Sequence, residues 1–360
     1  MLHPIPDSSR RADLIAVVEI QQQLLNALCG LNEGSSVDCT WLQEVWNTIP
    51  PEWVESFWNW AKKVNNVKIP LRPPWINRIA TASREKKQIV RKMVAEQLRF
   101  NELYINESTL RLKSYNWEDE VLIAVQKLLE SFYTPQFYKG KGFRCSAGGE
   151  FNKDDFIAGF NPPVRICPYT DDLINDTELD HFLPKSEFPM LSCHPDNLIP
   201  CSPDANKGSH KGKKPTIDIG ADKQAENYFH PRLRPATGKY HLTFLDSASM
   251  QPVVRFVAID PVDQPRLDNM NDMFKLSEFW GRDLETEVQL LASDISSNLQ
   301  NSAIPATEAN VSQEIDKLAS QAYRRIGHDA LSIVKHYFYR HIARTPILLN
   351  QIVRTCGFGT

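Results

Sequence analysis

Apolar side chains recur every three to four residues through DLIAVVEIQQQLLNALCG, from Asp13 to Gly30, and the run closes on a glycine. That spacing places one apolar stripe on one face of a helix, and the glycine supplies its stop. The same period predicts helices over Trp41–Thr48, Glu52–Val64, Arg84–Leu103 and Trp117–Phe132, with Asn116 as the N-cap of the last. Pro70, Pro73 and Pro74 interrupt the series. From Tyr138 to Arg165 the chain turns to glycine, asparagine and proline, which suits loops and short extended pieces. YHLTFL (240–245) and VVRFVAI (253–259) then read as two strands joined by a loop. Helical periodicity returns from about Asp268, and the last helix carries Thr345 as N-cap with Pro346 in its first turn.

The pattern divides the chain into a helical region (1–137), a small mixed centre (138–262) and a second helical region (263–360). The expected class is α+β and mostly helical. With 360 residues, of which 42% are apolar and 24% charged, the chain can bury a core without disulfides or a structural metal. No apolar run reaches bilayer-spanning length, and residues 1–11 lack a signal-peptide pattern, so no membrane association and cytoplasmic residence are expected. Seven scattered cysteines argue for reduced thiols. A formal net charge of -3 excludes global attraction to nucleic acid and leaves that task to local patches.

One such patch is present. From 150 to 200 ten acidic side chains stand against three basic ones, whereas from 201 to 240 eight basic side chains stand against four acidic ones. Lys207, Lys211, Lys213 and Lys214 open the basic arm, and Lys185 lies shortly before it. These five are the candidate phosphate contacts.

The chemistry sits where acid gives way to base, in RICPYTDDLINDTELDHFLPKSEFPMLSCHPDNLIPCSPDANKGSHKGKK (165–214). Asp180 stands beside His181. Neighbours on a strand point to opposite sides, so both can face one ligand only if the strand twists or bulges. Asp196 and Asn197 form a turn entering a short apolar strand, where a buried Asn can tie a loop to backbone groups. Ser202, Pro203 and Asp204 mark a helix start, and Asn206 and His210 would share one face of that helix. A neutral histidine, with a reference pKa of about 6.5, can take a proton from water. Oxygen donors such as Asp180 and Asn206 suit Mg²⁺. Cys193 beside His194 raises thiol catalysis, but no third orienting group accompanies them.

This segment resembles the ββα-metal finger of HNH endonucleases: Asp-His, a proline loop, Asn-Leu, then Asn-Lys-Gly. Its spacing is similar to that of the HNH domain of RNA-guided CRISPR effectors, with Asn197 and Asn206 nine positions apart. The resemblance covers residues 164–214. It implies a metal-dependent nuclease with His181 as general base, Asn197 as the loop-orienting residue, and Asp180 and Asn206 as ligands of one Mg²⁺ or Mn²⁺. His210 stands where colicin-like HNH nucleases carry a further metal-binding histidine. DNA is the first expected substrate and RNA the alternative. The proline-containing HFLPKSEFP loop is similar to that of stand-alone HNH effectors of bacterial anti-phage defence. Many HNH proteins add a zinc held by two C-x-x-C pairs. Here Cys167 is matched with Thr170 and Cys201 with Asp204 or Ala205, so a structural zinc is not expected.

Three further features have plainer readings. Five tryptophans (41, 46, 53, 58 and 60) fall at helical spacing, which favours a packed core or a protein-partner surface over base stacking. The basic run Arg84–Lys92 reads as a solvated helix face rather than a nucleic-acid contact. A catalytically inactive HNH-like module in an interaction protein is the alternative of a different class.

Overall fold

The computed structural model describes residues 2–35, 37–47, 51–61, 73–105, 110–137, 143–144, 150–208, 210–212, 214–245 and 253–357. Among them the chain is mostly helical, with three two-stranded antiparallel pairs. The first helices are α1 (Arg11–Gly30), α2 (Cys39–Val45), α3 (Pro51–Ala61), α4 (Pro73–Ala80), α5 (Arg84–Gln97) and α6 (Glu120–Ser131). A short pair, β1 (Phe143–Arg144) and β2 (Glu150–Phe151), precedes α7 (Lys153–Ala158). The centre holds β3 (Glu178–His181), β4 (Leu198–Cys201) and α8 (Pro203–Asn206). The pair β5 (Tyr240–Leu245) and β6 (Val253–Ala258) leads to α9 (Gln264–Phe274), α10 (Leu276–Asn301), α11 (Glu308–Arg324), α12 (Ser332–Arg344) and α13 (Pro346–Gly357).

The expected periodicity is realised where it is strongest. In α1 the stripe Leu14, Val17, Val18, Leu24, Leu25 and Leu28 is buried, and Gly30 is the last helical residue before Leu31 turns extended. In β5 the inward residues Tyr240, Leu242 and Phe244 alternate with exposed His241 and Leu245. Two helix ends differ from expectation. The cap of α6 is Asp119, whose carboxylate accepts from Val121 and Leu122, while Asn116 serves a turn by accepting from Glu118. Asp119 wins because a carboxylate so placed meets two unpaired N–H groups and the positive end of the helix. The helix expected over Arg84–Leu103 stops at Gln97 and resumes as a 3₁₀ turn, Phe100–Tyr104.

The core falls into two clusters. One packs α1, α2, α4, α5 and α6 around Leu28, Trp46, Val94 and Leu128. The other packs β5, β6 and the last five helices around Phe256, Trp280 and Phe338. The pair β3–β4 contributes to both: Leu179 and Leu198 belong to the first cluster, Ile199 and Cys201 to the second. Sequence order does not map simply onto these clusters. Leu2, Ile5, Phe100, Leu103 and Tyr104 precede α6 but lie in the second. Ile5 is tied there by its N–H to the Pro231 carbonyl, and Thr237 donates to the Leu2 carbonyl.

Two readings of the amino-terminal region can be placed. Trp46 is buried, meets Phe57 edge-on at 4.8 Å, and has Trp41 and Trp58 packed against its cluster. The side chains of Trp53 and Trp60 lie outside the described residues. In the basic run of α5, Lys87 is buried and donates to the carbonyls of Ala80 and Leu31 at 2.6 and 2.8 Å. It neutralises a helix end rather than facing solvent. No described helix is long and apolar enough to cross a membrane.

Candidate functional site

β3 and β4 pair in regular antiparallel register, with Asp180 opposite Ile199 and His181 opposite Leu198. A regular strand alternates its side chains, so Glu178 and Asp180 share one face and Leu179 and His181 the other. The ladder carries no irregularity that would turn Asp180 and His181 the same way. Partners confirm the division.

On the first face Asp180 is 2% exposed. Tyr169 donates its hydroxyl to Asp180 Oδ2 at 2.8 Å. The Lys211 ammonium stands 3.0 Å from each carboxylate oxygen and donates to the His181 carbonyl at 2.7 Å. Tyr169 is itself held by stacking on Phe274 at 4.7 Å. Beside Asp180, Asn206 donates its amide to Glu178 Oε2 at 2.7 Å, which leaves its carbonyl oxygen as a donor for a cation.

On the second face His181 is 8% exposed. Its Nε2 lies 2.9 Å from the Ser192 carbonyl. A carbonyl only accepts, so Nε2 carries the proton and Nδ1 keeps the basic lone pair. Tyr133 meets the ring edge-on at 4.3 Å and lies under the Lys185 ammonium. Burial, followed by the Lys185 charge, pushes the imidazole well below the usual histidine range, against the Ser192 hydrogen bond. The ring is therefore neutral at neutral pH.

The loop between the strands is tied from inside. Asn197 is fully buried; its Oδ1 accepts from Leu183 N–H at 2.7 Å, and its amide donates to the carbonyls of Leu183 and Leu191 at 3.0 and 3.1 Å. Next to it, Asp196 receives Arg11 Nη2 at 2.7 Å and Asn101 Nδ2 at 2.9 Å, with Arg232 Nε at 3.3 Å. Burial opposes ionisation of Asp196, but the Arg11 hydrogen bond and the His194 and Arg11 neighbours prevail and lower it to about 2. Three distant segments thus fix the turn that presents Asn197.

The helix after β4 differs from expectation. Ser202 caps it, but Lys207 leaves it with ψ of 156°, so α8 is four residues long. Asn206 and His210 do not share a helix face. His210 donates from Nδ1 to the Asp204 carbonyl at 2.9 Å, and its ring lies 5.0 Å from Phe279. Beyond α8 the chain doubles back so tightly that a Cβ on Gly212, at φ +48°, would sit 2.8 Å from the Gly208 Cα. That turn carries Lys211 into the core.

The expected lysine patch is correspondingly smaller. Lys211 is fully buried and serves Asp180, so it is withdrawn from the phosphate-binding set by its ion pair. Lys207 is exposed and paired with Asp204, Lys214 is exposed, and Lys213 lies outside the described residues. Glu178, Tyr169 and Ser192 were not singled out in the sequence. Only Glu178 left a trace there, as the acid two residues before Asp180 in a strand of period two.

Two metals can be tested against these residues. Glu178, Asp180 and Asn206 form a set of hard oxygen donors on one face, and a cationic ammonium already bridges Asp180, so the chemistry fits a Mg²⁺-like ion. A four-ligand zinc fits poorly. Cys167 and Cys201 are buried, the Cys201 thiol is pushed well above its usual range by burial and then by Asp180 and Cys167, and Asp204 is exposed and engaged by Lys207. Among the described residues no group of three or more His, Cys, Asp and Glu side chains is arranged for a metal. Comparison with protein-family models, curated proteins and solved structures gives no match.

Proposed function

We propose that this chain is a metal-dependent phosphodiester hydrolase of the HNH class, acting on DNA, with His181 as its general base. The observation that supports this reading most is the state of His181: a neutral imidazole, its Nε2–H held by the Ser192 carbonyl, with Nδ1 left to take a proton. Asp180, Asn206 and the adjoining Glu178 would hold the ion on the face of β3 opposite His181, and because His181 ends that strand the phosphate would have to meet both around the strand's end. When bound, the ion would stabilise charge on the phosphate and the departing 3′ oxygen. Asn197 holds the loop that carries Leu183 and Leu191, and so keeps the Ser192 carbonyl where it orients the ring. Lys207 and Lys214 would meet flanking phosphates.

The test is cleavage of plasmid, single-stranded DNA and RNA, each with and without Mg²⁺. Wild-type protein is expected to cut DNA only with the ion. His181→Ala should lower the rate by about 10²–10⁴-fold, the usual worth of a general base, with its far-ultraviolet circular dichroism unchanged. Undiminished cleavage by His181→Ala sinks the assignment. RNA cleavage alone would keep the chemistry and change the substrate.

A second reading has one observation in its favour. Asp180 is sealed by Tyr169 and Lys211, on the opposite face from His181. On that reading the strands and helix are a structural centre, and no substrate is cut with or without a metal.

A further inference from the structure

Lys211 is the largest departure from what a basic run such as KGSHKGKK suggests. Lysine is almost never fully buried unless paired, and this one is 0% exposed. Its ammonium sits symmetrically on the Asp180 carboxylate, 3.0 Å from both oxygens, and takes the His181 carbonyl as a third acceptor. Three oxygens around one positive centre, two of them from a carboxylate, are the surroundings a small cation seeks.

We propose that Lys211 is a resident counter-cation that shares the Asp180 site with a divalent ion, each excluding the other. This rests on reading the Asp180 face as a cation site. Lys211 already engages both Asp180 oxygens and Tyr169 one of them, so a divalent ion can reach this carboxylate only in place of the ammonium. Loading the ion therefore requires the ammonium to withdraw. Lys211 lies beyond the end of α8, so its withdrawal unwinds no helix. Without the ion, Lys211 keeps Asp180 from being a buried unpaired charge, and the centre stays folded.

Three measurements test this on the full-length protein, with Mn²⁺ as the probe and no nucleic acid present. First, Lys211→Met keeps the volume and removes the charge, and should bind Mn²⁺ about ten-fold or more tightly than wild type by titration calorimetry. Second, Lys211→Met in EDTA should melt below wild type and recover on adding Mn²⁺, while the Asp180→Asn/Lys211→Met double variant should neither bind nor respond. Third, reductive methylation of the wild-type protein, read by mass spectrometry, should spare Lys211 in EDTA and label it when Mn²⁺ is saturating.

Equal or weaker Mn²⁺ binding by Lys211→Met overturns the proposal. So does tight binding that survives Asp180→Asn, or a Lys211→Met chain that stays unfolded with Mn²⁺, or Lys211 protected while Mn²⁺ is bound. The nuclease reading fails separately, through cleavage that is absent or indifferent to His181, whatever these binding results are.

Discussion

The two faces of β3 solve the same difficulty in opposite ways. Asp180 and His181 are neighbours in sequence, and both are buried. On the Asp180 face the charge is retained and balanced by Lys211 and the Tyr169 hydroxyl. On the His181 face the charge is avoided, because burial and then the nearby Lys185 charge keep the ring unprotonated against the pull of the Ser192 carbonyl. An ionic face is sensitive to loss of either partner, whereas a neutral one is sensitive to pH. The strand thus sets a paired carboxylate and a neutral imidazole one residue apart.

The ionic face should break most severely. Asp180→Ala leaves the Lys211 ammonium buried without its carboxylate and should cost about 3–5 kcal/mol in urea unfolding. Replacing both, as Asp180→Leu with Lys211→Met, should recover most of that. If Asp180→Ala is harmless, the pair is not the support described here.

The neutral face should yield to acid. Burial lowers His181 and His230 well below the usual range and takes His194 to about 4. Below an unfolded-state pKa of about 6.5, the unfolded chain therefore binds protons that the folded chain refuses, and stability falls as pH falls. Three such groups give a slope of up to about 4 kcal/mol per pH unit near pH 5.5. Unfolding free energies at pH 7.5, 6.5 and 5.5 measure it, and His194→Gln should flatten it by about a third. A flat profile would show that these rings can be protonated in the folded state.

Asn197 joins the faces through the loop between the strands. Asn197→Ala strands the buried Leu183 N–H and two carbonyls, at a cost of about 2–3 kcal/mol. It should also reduce cleavage, because Leu191 precedes the Ser192 that orients His181. Chemical denaturation and initial rates together separate the two effects. Rates that stay at wild-type level would uncouple the loop from the ring.

The smallest effects belong outside both faces. Lys207→Ala with Lys214→Ala should leave stability within about 0.5 kcal/mol. Each lost phosphate contact should lower the salt dependence of DNA binding by about 0.9 in log–log slope. An unchanged slope would place the nucleic acid elsewhere.

Much of the scaffold was legible because it depends on local period and local capping. The stripe of α1, the alternation of β5 and the Ser202 cap each need only a few neighbouring residues. The residue types gathered at the candidate site, Asp180, His181, Asn197 and Asn206, are visible in the sequence. Their grouping is not. Asn206 and His210 looked like helix partners at four-residue spacing, but Lys207 ends the helix between them. Lys211 looked solvent-facing like Lys214, since nothing within five residues announces a buried partner.

The sequence by itself determined the longer helices, the β5–β6 pair and which residue types stand at the centre, because periodicity, caps and residue chemistry act over one or two turns. The short helices α4 and α7 and the early end of α8 escaped it. Tertiary structure alone decided how those residues are used. Tyr169, Lys211 and Asp180 meet across separations of 11 and 31 residues, and His181 finds Tyr133 from another element altogether. Desolvation and ion pairing follow three-dimensional neighbours, so only the folded chain makes Asp180 a paired charge and His181 a neutral base.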